Sequence, residues 1–278
     1  MVMLMINSKV VIKDSKKPGP KVVVMAGVHG DEFCGVKALD ELIPKIKVTA
    51  GKVTFIYANL KAIEQNKRFI EYNLNRCFSS DQAENVYSTL EGKTGRELVR
   101  ILDDSDVLLD LHASTSKKTV PFIICEKQSY AYANVLPFKF IVGGFDFVYP
   151  GASDHYMNQN NKPALCVECG YLGDKSTIKV AKATVLTFLK KAGSIRGKAP
   201  TLAQKKFFQV NFVYKNKFGP FRLSRDFADF EELTGSTVVG FDGQQRAFAE
   251  DGDLLLFARS EDKLNSECFV IGKRVDKK

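Results

Sequence analysis

The 278-residue chain lacks any apolar stretch long enough to cross a bilayer as a helix. Its start also lacks the pattern of a signal peptide, because Lys9 and Lys13 closely follow the apolar residues Met1–Ile6 and no small-residue cleavage site appears. We therefore expect a cytoplasmic protein without a membrane segment. With 45% hydrophobic and 26% charged residues and no repeat or low-complexity segment, the chain has the composition of a globular protein.

The chain has six cysteines but no second C-x-x-C pair, which a structural zinc ribbon would require. Cys166 and Cys169 form the single pair, within a segment that alternates like a β-strand. Residues three apart in a strand point to opposite faces. We therefore predict reduced, buried and unreactive thiols rather than a metal or redox site.

A basic nucleic-acid-binding motif is also missing, although the formal net charge is +9. The lysines are spread along the chain and do not alternate with aromatic residues, which argues against nucleic-acid binding. The positive charge either draws small anionic substrates to the protein or belongs to a solvated surface. The sequence leaves the oligomeric state open and allows a homo-oligomer.

Short apolar runs alternate with helical patterns over the first 190 or so residues. This order predicts an α/β fold in which a mostly parallel sheet is flanked by helices. In such sheets ligands bind at the carboxyl ends of the strands. The predicted strands are 21–26, 52–58, 106–111, 122–125, 138–142 and 164–168, and the predicted helices are 31–46, 95–102 and 176–191.

The pattern changes at a linker-like segment, residues 193–200, which is rich in glycine, serine and proline. Short alternating runs and turn dipeptides such as Asp242-Gly243 follow it, as in β-hairpins. The sequence therefore predicts a catalytic domain at residues 1–195 and a small all-β domain at residues 201–278. We expect the β domain to pack near the mouth of the active site.

The three histidines of the chain are His29, His112 and His155. The first two come directly after predicted strands and lie beside acidic residues. His29 and Glu32 are three residues apart at a strand-to-helix turn, a spacing that lets both side chains approach one ion. Asp31 is the other candidate carboxylate, but the spacing favours Glu32.

His112 ends the sequence Asp110-Leu-His112, and a strand places Asp110 on the same side as the histidine. Asp110 can therefore orient the metal ligands from behind. Two histidines and one carboxylate leave a fourth position for water, which is typical of catalytic zinc. We predict one zinc ion per chain, held by His29, Glu32 and His112.

Glu168 ends an apolar strand, where a buried carboxylate is costly unless it is used or paired. A general base and a structural salt bridge are equally compatible with this position. Arg68, Asn75 and Arg76 lie in a polar loop between strands. Loop arginines usually face solvent, but Asn75-Arg76 can grip a carboxylate through an amide and a guanidinium fork.

These motifs resemble the succinylglutamate desuccinylase/aspartoacylase family of the zinc carboxypeptidase superfamily. The family has an H-x-x-E metal motif, an arginine followed seven residues later by N-R, a D-L-H motif and a glutamate after a strand. The corresponding residues here are His29 and Glu32, Arg68, Asn75 and Arg76, Asp110 and His112, and Glu168. The resemblance covers most of residues 20–190, and the C-terminal part is similar to the family's small β domain.

The resemblance implies a role for each of four residues outside the metal set. Arg68 would polarise the scissile carbonyl and stabilise its oxyanion, and Asn75 and Arg76 would hold the terminal carboxylate of the substrate. Glu168 would take a proton from water and pass it to the leaving amine.

Three differences from the family pattern bear on the substrate. Asn73 stands where the family usually has an aspartate that supports a metal-binding histidine, so the metal affinity is expected to be lower. Residues 154–164 contain Lys162 but not the arginine with which aspartoacylase-like members read a side-chain carboxylate. The last tyrosine is Tyr214, so the later strands supply no phenol. These differences argue against N-acetylaspartate and succinylglutamate as substrates.

The sequence thus predicts a zinc hydrolase that cleaves an amide bond beside a free carboxylate in an N-acyl amino acid. A metallocarboxypeptidase that trims peptides, cell-wall peptides among them, uses the same reaction in a different pocket. A metal- or ligand-binding protein without turnover is the third alternative, against which the complete set of ligands, Arg68 and Glu168 argues.

Overall fold

A computed structural model of the chain describes residues 1–79, 82–201 and 204–276. It contains a 12-stranded sheet covered by helices and a separate three-stranded antiparallel sheet near the C-terminus. The predicted α/β class is confirmed. Within the described residues, none of the helices combines the length and the apolar composition needed to cross a bilayer.

The strands and helices are numbered here in chain order. The strands are β1 (Val2–Leu4), β2 (Lys9–Asp14), β3 (Lys21–Ala26), β4 (Lys52–Tyr57), β5 (Val107–Ser114), β6 (Phe122–Ile124), β7 (Phe140–Gly143), β8 (Ala164–Tyr171), β9 (Lys206–Lys215), β10 (Phe221–Leu223), β11 (Glu231–Glu232), β12 (Thr237–Asp242), β13 (Gln245–Ala249), β14 (Leu254–Leu256) and β15 (Glu267–Val275). The helices are α1 (Phe33–Leu42), α2 (Leu60–Gln65), α3 (Glu84–Tyr87), α4 (Leu90–Asp103), α5 (Tyr130–Ala133), α6 (Phe145–Val148), α7 (Ser153–Gln159) and α8 (Ser176–Ala192).

The large sheet has the strand order β1-β2-β4-β3-β5-β8-β6-β7-β9-β15-β14-β11. In the centre of the sheet the neighbours β4, β3, β5 and β8 are parallel to one another, and so are the neighbours β6, β7 and β9. The two groups meet where β8 pairs with β6 in antiparallel orientation. The apolar runs of β3 and β5 are buried on both faces because helices cover both sides of the sheet.

Alternate residues of one strand enter different cores. Val24 of β3 packs in the cluster that contains residues of α1 and α8, whereas Val23 packs in the cluster that contains Leu98 of α4 and Met157 of α7. The alternation follows from the two-residue period of a strand. This arrangement leaves the carboxyl ends of β3, β5 and β8 side by side at one edge.

The strands after residue 204 continue the large sheet rather than lying apart from it. β9 pairs in parallel with β7, and β15, β14 and β11 follow in antiparallel order. β10, β12 and β13 form the small sheet. The division into residues 1–195 and 201–278 stays a prediction, and residues 202–203 and 277–278 of the second segment lie outside the described residues.

The six cysteines are buried and form no disulfide. Cys166 and Cys169 pack into different hydrophobic clusters, as their spacing in a strand predicts. The prediction of buried thiols is confirmed for both residues of the pair.

Candidate metal centre and substrate pocket

Three neighbouring parallel strands bring the predicted metal-site residues together. His29 follows β3, His112 lies in β5, and Glu168 of β8 is the register partner of His112. Glu32 is the N-cap residue of α1, which begins at Phe33. The predicted helix start at residue 31 was therefore too early, and His29 and Glu32 belong to the loop that precedes the helix.

Gly30 sets the path of that loop. A Cβ atom at this position would lie 2.1 Å from the carbonyl carbon of Ala62 and 2.3 Å from the backbone nitrogen of Ile63. The amide of Gly30 also faces the carbonyl oxygen of Arg68 at 3.3 Å. Only glycine fits this close approach, so the residue fixes how His29 and Glu32 meet the rest of the site.

The carboxylate of Glu32 lies between the two imidazole rings. Its Oε1 is 2.8 Å from His29 Nδ1, and its Oε2 is 3.0 Å from His112 Nδ1. The backbone amide of Ala113 also donates to Oε2 at 2.9 Å. All three side chains are buried. Their ligand atoms lie close enough together for the group to hold a metal ion.

The Nε2 atom of each ring, on the side away from Glu32, lies close to an oxygen atom of a neighbouring side chain. His29 Nε2 is 3.1 Å from Asn73 Oδ1, and His112 Nε2 is 3.2 Å from Asp110 Oδ2. The hydroxyl of Ser153 donates to the same Asp110 oxygen at 2.6 Å. In a metal-bound site the two Nδ1 atoms would be the ligands, and each Nε2 would keep its proton towards one of these oxygen atoms.

Burial and close contact shift the pKa values of Glu32 and of the two histidines. Burial opposes the charge on Glu32, but the two histidines hold the pKa of its carboxyl well below the usual range. Burial and the nearby Arg68 lower the pKa of His29 to about 4, so this ring is neutral at neutral pH. Burial also acts against the charge on His112, yet Cys166, Asp110 and Glu32 raise its pKa well above the ordinary value.

A divalent cation fits this set of donors. Two imidazole nitrogens and a carboxylate are ligands that zinc prefers. His112 Nε2 and Asp110 Oδ2 are 3.2 Å apart but are not aligned for a hydrogen bond, so this buried ring nitrogen has no hydrogen-bond partner among the described residues. A second possible ligand group comprises His112, Cys166 and Glu168 and shares one histidine with the first.

Glu168 lies in the same pocket and is only 8% exposed. Its Oε2 has no hydrogen-bond partner within the described part of the chain. Burial, with a smaller contribution from Glu32, raises the pKa of the Glu168 carboxyl to about 8. The salt bridge that the sequence allowed for this residue does not appear among the described ion pairs.

Arg68 points into the pocket from the loop after α2. Its Nη1 donates to Glu32 Oε1 at 3.0 Å, and its side chain is 41% exposed. The guanidinium therefore reaches the metal-site carboxylate and retains contact with solvent. This position places a fixed positive charge at the edge of the buried group.

Asn75 and Arg76 lie in a short 3-10 turn, Leu74–Arg76, that Asn73 begins by accepting a hydrogen bond from the amide of Asn75. Arg76 stacks over the ring of Tyr149 at 4.4 Å. Its Nη1 donates to the carbonyl oxygen of Asn75 at 2.7 Å, and its Nη2 lies 3.5 Å from Glu267 Oε1. Both predicted clamp residues line the pocket.

The pocket has an empty volume of about 800 Å³, part of which is open solvent. Residues from the C-terminal strands close one side of it, as expected for a segment near the mouth of the site. No motif marks the lining residues that follow, so they could not be predicted. They are Phe145, Asp146, Tyr149, Asp154, Phe257, Arg259, Glu267 and Phe269.

The structure locates two of the differences from the family pattern. Lys162 does not take the place of the missing arginine, because its Nζ donates to the carbonyl oxygens of Leu102 and Asp103 at 3.3 and 2.7 Å. A phenol does line the pocket, but Tyr149 supplies it from the segment after α6 rather than from the C-terminal strands.

Comparisons with known proteins relate the chain to one family. Residues 18–192 match the model of the succinylglutamate desuccinylase/aspartoacylase catalytic domain. The chain is 26% identical over 277 residues to the succinylglutamate desuccinylase of Pseudoalteromonas atlantica, which covers 87% of this chain and 77% of that protein. It is 26% identical over 165 residues to a probable aspartoacylase of Nostoc sp., with 54% of this chain and 55% of that protein covered.

The fold matches a solved structure of the succinylglutamate desuccinylase of Vibrio cholerae with a TM-score of 0.77. The sequence identity in that match is 21%, and it covers 97% of this chain and 86% of that protein. At this identity the likeness concerns the fold alone. Because the family model matches more than half of its residues, this chain belongs to the succinylglutamate desuccinylase/aspartoacylase family.

Proposed function

We propose that the protein is a zinc-dependent hydrolase that cleaves the amide bond of an N-acyl amino acid beside a free carboxylate. Members of this family are amidohydrolases, and their substrates are acylated amino acids. The observation that carries the proposal is the buried group of His29, Glu32 and His112 in one pocket with Glu168, whose Oε2 has no hydrogen-bond partner among the described residues.

Zinc is the metal we propose, with one ion per chain held by His29, Glu32 and His112. The two nitrogens and one carboxylate match a catalytic zinc set that keeps a position for a small ligand. Asp110 and Asn73 hold the two rings through their Nε2 atoms. A bound zinc ion would act as a Lewis acid on the scissile carbonyl and lower the pKa of water at the site.

Glu168 is the proposed general base and acid. Burial raises the pKa of the Glu168 carboxyl to about 8, near enough to neutral pH for the group to take up and release a proton there. It accepts a proton from the attacking water and delivers that proton to the nitrogen of the leaving amine. The lack of a structural partner for Oε2 among the described residues supports this role over a salt bridge.

Arg68 and the Asn75–Arg76 pair position the substrate in this proposal. The Arg68 guanidinium lies beside the metal-site carboxylate, where it can stabilise negative charge that develops on the scissile carbonyl oxygen. Arg76 retains N–H groups beyond those used by Asn75 and Glu267, and these can bind the substrate carboxylate.

A metallocarboxypeptidase that trims peptides is the second candidate, because the same residues serve the same reaction. The C-terminal segment supports the deacylase over the carboxypeptidase. Its residues Phe257, Arg259 and Glu267 line the pocket, so the pocket suits a small N-acyl amino acid better than a long peptide.

The test is a hydrolysis assay on the zinc-loaded protein with N-acyl amino acids and short peptides of matched composition. We expect cleavage of N-acyl amino acids, loss of activity with a chelator and recovery when zinc is returned. Faster cleavage of peptides would favour the carboxypeptidase. Cleavage of neither class would contradict a hydrolase function.

A further inference from the structure

The loop that carries the two arginines of the proposed substrate site has little support of its own. We call residues 66–76 the clamp loop, with Arg68 near its start and Arg76 at its end. Residues 66–73 form only turns and bends, and none of them is buried. Even the large apolar side chain of this segment, Phe69, is 40% exposed. Apolar packing therefore does not fix the path of the clamp loop.

The carboxylate of Glu91 holds the middle of the clamp loop. Its Oε1 accepts a hydrogen bond from the backbone amide of Ile70 at 2.8 Å. Its Oε2 accepts from the backbone amides of Glu71 and Tyr72 at 3.2 and 3.1 Å. The side-chain amide of Asn59 also donates to Oε1, at 3.2 Å. Glu91 is 0% exposed, so these four N–H groups take the place of water around a buried carboxylate.

Glu91 also joins the clamp loop to α4, of which it is the second residue. The amide of Leu90, the first residue of α4, donates to the carboxylate of Glu71 at 2.6 Å, so the helix start and the loop bind each other in both directions. The N-terminus of a helix favours a negative charge. All four partners of Glu91 are donors, and a glutamine has one acceptor oxygen and two N–H donors. A glutamine here would therefore satisfy one side of the contact and turn its own N–H groups towards donors on the other side.

The segment that Glu91 holds lies between the two arginines. Arg68 precedes it by one residue and donates to the metal-site carboxylate of Glu32 at 3.0 Å. Asn73 follows it directly and begins the 3-10 turn that ends at Arg76. A shift of residues 70–72 would therefore move both guanidiniums relative to the metal site.

We infer that Glu91 is a positioning residue for substrate binding, which holds residues 70–72 so that Arg68 and Arg76 converge on one substrate. This inference rests on the proposed function, in which the two arginines bind the scissile carbonyl and the carboxylate. Glu91 is not one of the residues that line the pocket, and it acts through the backbone of the clamp loop. Its loss should loosen substrate binding and misplace the scissile carbonyl, so KM rises and kcat falls.

The test compares zinc-loaded wild-type protein with Glu91→Gln, on an N-acyl amino acid that the wild-type protein cleaves. The matched control is Glu97→Gln, because Glu97 lies on the same helix and accepts from the backbone amide of Ile6 at 3.1 Å, outside the pocket lining. We expect kcat/KM to fall about ten- to a hundredfold in Glu91→Gln and to stay unchanged in the control.

A double-mutant cycle separates positioning from a general loss of stability. In an Arg76→Ala background the loss caused by Glu91→Gln should be much smaller, because one of the two groups that Glu91 positions is gone. The inference is overturned by a folded Glu91→Gln protein with unchanged kcat/KM, by an equal loss in Glu97→Gln, or by the same fold-loss in both backgrounds.

Amide hydrogen exchange gives a second readout that does not depend on turnover. The amides of residues 70–72 should be protected in wild-type and Glu97→Gln protein and exchange faster in Glu91→Gln, and equal exchange in all three proteins overturns the inference. If Glu91→Gln does not fold, Glu91→Asp, which keeps the charge on a shorter side chain, is measured in its place against the same criteria. If wild-type protein cleaves no N-acyl amino acid, the proposed function fails, and exchange together with calorimetric binding of N-acetyl-alanine still decides the role of Glu91.

Discussion

Arg76→Ala should damage hydrolysis of substrates with a free carboxylate and spare the corresponding amides. In the folded protein the guanidinium is 22% exposed and is held by its stacking on Tyr149. Its 3.5 Å contact with Glu267 is longer than a normal charge-assisted hydrogen bond, so Glu267 does not saturate it. The remaining N–H groups are available for a substrate carboxylate.

The size of the effect follows from this geometry. A charge-assisted hydrogen bond to a carboxylate contributes about 1.5–3 kcal/mol, which corresponds to roughly one to two powers of ten in kcat/KM. Residual exposure screens the pair, so we expect the lower half of that range. Because the clamp also orients the scissile carbonyl, kcat should fall as well as KM rise.

The assay offers each N-acyl amino acid as the free acid and as the C-terminal amide, to wild-type and Arg76→Ala protein. Arg96→Ala is a matched control, since Arg96 also stacks on a tyrosine, at 4.2 Å from Tyr87, and donates to a backbone carbonyl. The control should leave both series unchanged. A wild-type preference for amides, or an equal loss on acids and amides in Arg76→Ala, would refute the clamp.

Three other substitutions test separate parts of the account. Glu168→Gln should retain zinc but lose about 10²–10⁴ in rate, and near-normal turnover in a hydrolysis assay would remove Glu168 from the mechanism. Asn73→Asp should raise zinc affinity about tenfold in a chelator competition, because a carboxylate strengthens the hydrogen bond to His29 Nε2; an unchanged affinity would contradict that. Gly30→Ala should lower the free energy of unfolding, measured with a denaturant, by about 1–3 kcal/mol, because its Cβ would overlap the backbone of Ala62. Gly173→Ala is the control and should cost less, because the close neighbour there is a tyrosine side chain that can move. Equal losses in the two variants would contradict the argument.

Much of the fold could be predicted from local sequence patterns. The buried runs of β3, β5 and β8 are continuous and apolar, and they stand between clear helical segments, so the parallel centre of the sheet is evident. The edge strand β1 and its neighbour β2 were not predicted. β1 is exposed and β2 only partly buried, so neither has a strong apolar pattern.

The candidate site was predictable where its residues are close in sequence or follow strands. His29 and Glu32 share one loop, and the strand register brings His112 beside Glu168. Arg259, Asp146 and Asp154 could not be predicted, because they carry no motif of their own, and Arg259 reaches the pocket only through the long-range pairing of the C-terminal strands. The pairing of β9 with β7 could not be predicted either, because short hairpin patterns do not show which strand of the large sheet a later strand joins.

Zinc content measured together with hydrolysis tests the central claim most directly. Wild-type protein should contain about one zinc ion per chain and cleave N-acyl amino acids. His112→Ala should lose most of the metal and the activity while its circular dichroism and thermal unfolding show a folded protein. Full zinc retention in the double variant His29→Ala, His112→Ala would contradict the proposed site.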